Sequence, residues 1–169
     1  MLQQLRKKIE KRRAQSFVEN VQAWYQTSSD ISEVMGMALH DQSVIQADIG
    51  YIIEAADRML FHLRLYIPDS LGMLRRRNGE LAQRFDKVCK QIFQLRNETT
   101  RFLIRSQGPG PMSGDEPDEE ARIVYYYRAL EEVGFNARQI KSDFDRELTS
   151  IWNDLQLIIV QEQAVANLG

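Results

Sequence analysis

Histidine is the side chain best suited to acid–base work near neutral pH, and this chain has two, His40 and His62. They fall on what reads as one helix, ~33 Å apart along its axis, so they cannot share a site within one chain. The pair His40-Asp41 would suit metal-assisted phosphoester chemistry, but the further histidines that such a centre needs are absent. Arg58 and His62 stand at i and i+4, where an imidazole could exchange protons beside a guanidinium holding a phosphate. The same spacing is that of an ordinary surface or boundary pair, which is the preferred reading. Asp48, Glu54, Asp57, Glu131 and Glu132 are the carboxylates that could gather around Mg²⁺, yet only Glu54-x-x-Asp57 has paired helical spacing, and an exposed acidic face explains them as well. Gly108, Gly110 and Gly114 alternate with proline and follow a helix rather than a strand, so they are linker glycines and not a phosphate loop. The single cysteine, Cys89, can form neither an intramolecular disulfide nor a cysteine-rich zinc site, which fits a reducing compartment. The sequence therefore predicts no enzyme, no metal and no cofactor, and a cytoplasmic location.

What stands out instead is charge and aromatic placement. Lys+Arg number 22 and Asp+Glu 24, but they are segregated. Residues 1–13 carry six cations, Arg6, Lys7, Lys8, Lys11, Arg12 and Arg13, against Glu10 alone. Residues 30–67 hold two basic and six acidic groups, residues 68–106 nine and four, and residues 107–169 five and twelve. Such blocks are expected to face one another or a partner. Beside the first block, Leu2, Leu5 and Ile9 form a short apolar stripe, so this end could meet an acidic partner helix, a nucleic-acid backbone or an anionic membrane surface. The stripe has too few large apolar residues for firm lipid insertion, and a protein partner ranks first. Arg75-Arg76-Arg77 would join Arg6, Lys7, Lys8, Lys11, Arg12 and Arg13 in the nucleic-acid reading.

Tyr125-Tyr126-Tyr127 is the second such feature. Consecutive helical residues are about 100° apart, so three tyrosines cannot all enter one seam. Tyrosine and arginine are enriched at protein interfaces, and Arg122 and Arg128 flank the run.

These residues must be positioned by helices, since no alternating strand pattern occurs. The first is expected over about 2–26, ending in Thr27-Ser28-Ser29, with Asp30 and Glu33 capping the next. The second runs to Ile67, where Pro68-Asp69 should stop it, on a stripe through Ile31, Met35, Ala38, Ile45, Ile49, Ile52, Ala56, Met59, Leu63 and Tyr66. The third, about 70–106, repeats in steps of 4 and 3 through Leu74, Asn78, Leu81, Phe85, Val88, Ile92, Leu95, Thr99 and Phe102. Asn78 and Thr99 are read as register-setting polar members of that seam. Residues 107–117 form a flexible linker, and Pro117 with Asp118, Glu119 and Glu120 begins a last helix reaching about residue 166. That helix has a weak point at Gly134, where it could kink or break, and is otherwise long enough to overhang its neighbours.

The expectation is a single all-α domain over 1–169, an antiparallel bundle of four long amphipathic helices with coiled-coil-like heptad packing: 1–27, 30–67, 70–106 and 118–166. Its function is read as interaction or assembly without catalysis, through self-association or a partner helix, with Leu5, Ile9, Arg12, Trp24, Tyr125 and Tyr126 as contacts. The alternatives are a nucleic-acid-associated protein and a bundle enclosing a small ligand behind Met35, Met37, Met59 and Tyr66.

Overall fold

The computed structural model describes residues 1–40, 42–108 and 119–167, and the side chains of these except at 42–48 and 119. It is an all-α four-helix bundle: α1 (Leu2–His40), α2 (Gln42–Arg77), α3 (Gly79–Ser106) and α4 (Glu119–Asn167). There is no strand among the described residues. Each helix runs antiparallel to the next, and α4 returns against α1, so α1 contacts α2 and α4 at its flanks and α3 across the diagonal.

Two helix boundaries differ from those expected. α1 does not end at Thr27-Ser28-Ser29 but runs on to His40. Ser28 and Ser32 are small enough to enter the core face beside Trp24, Ile31 and Met35, and burial of that continuous face outweighs the weak helix preference of three hydroxyl residues. α2 likewise passes through Pro68. The proline lies on the exposed side, while Leu63, Ser70 and Leu74 on the other side have no accessible surface. Packing on that inner side holds the helix through a residue that lacks an N–H, and Ser70 Oγ donates to the Tyr66 carbonyl at 2.7 Å one turn back.

The break between α2 and α3 falls instead at Asn78. Its backbone is extended (φ −154°, ψ 102°) and its side-chain oxygen accepts from Leu81 N at 3.1 Å, an N-cap rather than a seam residue. Arg75-Arg76-Arg77 thereby moves from the start of one helix to the C-terminal turn of α2, where the helix dipole favours cations. His40 and His62 now lie on different helices, the first closing α1 and the second well inside α2. Thr99 does sit in the seam, without accessible surface.

α3 ends where the sequence suggests. Gln107 caps it and Gly108 takes a positive φ of 109°, a conformation that glycine alone adopts without strain. Residues 109–117 of the expected linker, and Asp118, lie outside the described residues.

α4 is continuous through Gly134. A Cβ there would lie 2.9 Å from Cε2 of the buried Phe102 ring, so the glycine admits a ring from α3 rather than breaking the helix. The main core joins Trp24, tilted against Phe85 at 4.4 Å between centroids, to Phe17, Leu63, Ile92, Phe144 and Leu155. A smaller cluster of Ala38, Leu39, Ile49, Phe102, Leu103, Val133 and Ala137 closes the end where α1 turns into α2.

The α1–α4 pairing keeps one register. Tyr25 stacks on Trp152 with centroids 4.0 Å apart, Ser32 Oγ donates to Asp145, and Arg138 Nη1 donates to the Leu39 carbonyl at 3.4 Å. Continued in one direction, this register puts residues 119–136 of α4 past the end of α1; in the other, it puts the first turns of α1 past the end of α4. The expected overhang therefore exists at both poles, on different helices.

Candidate interaction surfaces

At the first pole the two basic segments, some sixty residues apart in sequence, meet. Ile9, Arg12, Arg13, Ser16 and Phe17 of α1 line a groove with Asp69, Met73 and Arg76 of α2. A second groove beside it is lined by Glu10, Arg13, Met73, Arg76, Arg77, Glu162 and Val165. Residues 1–13 are exposed throughout, and the apolar stripe on them is open: Leu2 is 78% exposed, Leu5 56% and Ile9 42%. Ile9 stands beside α2 in the first groove, whereas Leu2 and Leu5 lie farther out on the tip, past the end of α4.

Of the nine cations singled out in the sequence, Arg77 is already engaged. Its guanidinium lies 2.7 Å from Oε1 of Glu162, a carboxylate buried near the end of α4. Arg6, Lys7, Lys8, Lys11, Arg12, Arg13, Arg75 and Arg76 make no ion pair among the described residues.

At the opposite pole the tyrosine run divides its labour. Tyr126 Oη donates to the Arg105 carbonyl at 2.6 Å, satisfying one of the last acceptors of α3, and its ring meets that of Tyr127 edge-on at 5.3 Å. Tyr125 remains 73% exposed and Tyr127 58%. Tyr126 is thus a strut between α3 and α4, while Tyr125 offers its ring to solvent. Trp24, expected at a partner contact, is instead wholly buried between α1 and α3 and has no surface to offer. Helical spacing identified it as a large apolar residue but could not say which face turns inward.

Many of the charges expected to face one another do so within the chain. Arg84 reaches Asp154 at 2.5 Å and Ser150 at 3.0 Å, and Lys87 lies 3.7 Å from Glu147, joining α3 to α4. Arg96 binds both carboxylate oxygens of Asp57 at 2.9 and 2.8 Å, joining α3 to α2. The acidic α4 is therefore a partner for part of the basic α3, and the unengaged cations concentrate at the first pole.

Of the described catalytic candidates, Glu54, Asp57, Arg58 and His62 share one open groove on the outer face of α2. There Arg58 pairs with Glu54 at 3.3 Å, Asp57 is held by Arg96 at 2.8 Å, and the His62 ring meets Phe61 edge-on at 5.8 Å. Asp41 and the side chain of Asp48 lie outside the described residues. Among the described residues no three His, Cys, Asp or Glu side chains are grouped as metal ligands. Cys89 is buried, and that burial pushes its thiol up to about 12, with the Trp24 side chain pulling modestly the other way. A thiol so placed is not a nucleophile at neutral pH. Of the methionines considered for a ligand wall, Met35 is in the core but Met37 is 60% exposed, so the two face opposite ways. No described helix is long and apolar enough to cross a membrane.

One surface had no counterpart in the sequence reading. On the side of α2 opposite its core residues, Tyr51 is 67% exposed, Phe61 62% and Leu65 59%, with Glu54 and Arg58 between them. Their positions, 51, 54, 58, 61 and 65, follow the same alternation of 3 and 4 as a buried seam. The signal was present but masked by the stronger apolar stripe of the same helix, and two of the five members are charged.

No known protein family, curated protein or solved structure matches this chain.

Proposed function

We propose that this chain is an interaction and assembly protein without catalytic activity, which docks onto a partner helix or another copy through the exposed tips of its long helices. The observation carrying this reading is the N-terminal tip of α1: Leu2, Leu5 and Ile9 form an open apolar stripe beside six cations, where α1 extends past the end of α4. Apolar burial supplies the affinity and the cations select an acidic rim on the partner. Leu5, Ile9, Arg12 and Tyr125 are the contacts; Tyr126 ties α4 to α3 at the Tyr125 pole. A cytoplasmic setting belongs to the same proposal, supported by the one buried thiol, which needs no oxidising compartment.

The test is the complex mass, by light scattering after size-exclusion chromatography, of wild type and a Leu5→Ala/Tyr125→Ala double variant. A smaller mass for the variant than for the wild type supports the tip contacts. An unchanged mass with an intact circular-dichroism spectrum rejects them.

The convergence of Arg12, Arg13 and Arg76 at one pole favours a second reading, in which that pole binds the phosphate backbone of a nucleic acid. It predicts co-purified material absorbing at 260 nm and an affinity falling steeply with salt, with Arg75→Ala and Arg76→Ala each lowering the salt slope by about one. Flat salt dependence rejects it.

A further inference from the structure

The outer face of α2 has the layout of a surface meant for its own copy. Along it run Tyr51, Glu54, Arg58 and Phe61 at separations of 3, 4 and 3, a spacing that reads the same in both directions. The chemistry is mirrored as well: an aromatic ring at each outer position, and an acid and a base at the inner two. Two copies of α2 laid antiparallel about a two-fold axis passing near position 56 therefore bring Tyr51 of each against Phe61 of the other. Glu54 of each then meets Arg58 of the other. In the same register Gly50, which among the described residues has nothing within 4 Å of where a Cβ would stand, faces His62 of the other copy at the rim and leaves space for the imidazole.

We propose that this face is an isologous dimer interface, and that the partner is a second copy of this chain. The apolar residues are open, each about three-fifths or more exposed, and the Glu54–Arg58 contact of 3.3 Å that now lies along one helix is replaced by two contacts across the axis. Self-complementarity is the reason for choosing a second copy over a foreign helix, which would have no cause to be matched by a palindromic arrangement. The proposal extends the interaction reading to a surface separate from the tips, so the Leu5→Ala/Tyr125→Ala variant should still form this dimer.

Sedimentation over a concentration series tests it. The wild-type chain should reach a mass of two chains, and Phe61→Asp, at an exposed position that leaves the fold intact, should weaken that dimer by ~100-fold, as expected for an aromatic anchor. Leu65→Lys gives a second, independent lesion on the same face. Glu54→Arg and Arg58→Glu should each be monomeric, since like charges then meet twice across the axis. Mixed together they should form a heterodimer, because one chain then presents arginine at both inner positions and the other presents glutamate at both. An ion pair internal to one helix cannot produce rescue in trans. A wild-type monomer throughout the series, a dimer indifferent to Phe61→Asp, or two charge variants that stay monomeric when mixed would each overturn the proposal.

Discussion

Two glycines in helices, Gly36 and Gly134, are both buried against a neighbour but for different reasons, and their replacement by alanine should have opposite consequences. At Gly134 the added methyl meets the rigid Phe102 ring in the core. The gain in helix propensity, about 1 kcal/mol, is then exceeded by overpacking of roughly 1–3 kcal/mol, so urea unfolding should show a net loss. At Gly36 the nearest atom is Cε of Lys141, the movable end of a long side chain whose Nζ bonds Asp145 at 2.6 Å. Gly36→Ala should be neutral or stabilising by up to about 1 kcal/mol in the same assay. Cys89 gives a pH-dependent prediction. Its thiol holds its proton in the fold to about 12 against 9.0 for the free group, so the native state binds more protons than the unfolded chain between those values. Stability contributed by the buried thiol is complete below pH 9 and is lost as pH rises towards 12. Cys89→Ala should flatten that alkaline decline in chemical denaturation, and the wild-type thiol should react with a thiol reagent at neutral pH only in denaturant.

At the scale of elements, the α-helical class, the α3 seam through Phe85, Ile92 and Phe102, and the end of α3 near Ser106 were legible in the sequence because period and capping agree there. The breaks were not. Local chemistry pointed to Thr27-Ser28-Ser29 and to Pro68-Asp69, while in the fold both stretches have strongly buried residues on either side that keep one helix continuous. Asn78 deceived in the opposite sense, since it falls on the 3–4 spacing of the seam yet caps a helix. The same competition makes Pro68 testable. Because it sits on the exposed side of an unbroken helix, Pro68→Ala should restore a backbone hydrogen bond and raise stability, by about 1–3 kcal/mol. If the chain turned at Pro68-Asp69, the same substitution would lower stability or leave it unchanged. Arg77 ties the last turn of α2 to the buried Glu162 of α4, so Arg77→Ala strands a carboxylate. Since the guanidinium itself is half exposed, the expected loss is about 1–3 kcal/mol in thermal or urea unfolding, with Arg77→Lys milder.

For the whole molecule, the organising fact is that helices of unequal length leave tips at both poles while α2 turns an ordered apolar stripe outward. The poles were partly legible: Leu5, Ile9 and Tyr125, large groups in excess of one seam, are open on the helix tips, whereas Trp24 has the same character and disappears into the core. The α2 stripe became visible only once the inward face of that helix was known. The most direct test is the mass of the wild-type chain by light scattering over a concentration series, at low and high salt, with absorbance read at 260 and 280 nm. The account predicts a mass above the 19.7 kDa of one chain, free of nucleic acid and rising with concentration. A single-chain mass at every concentration and salt would contradict assembly between copies of this chain.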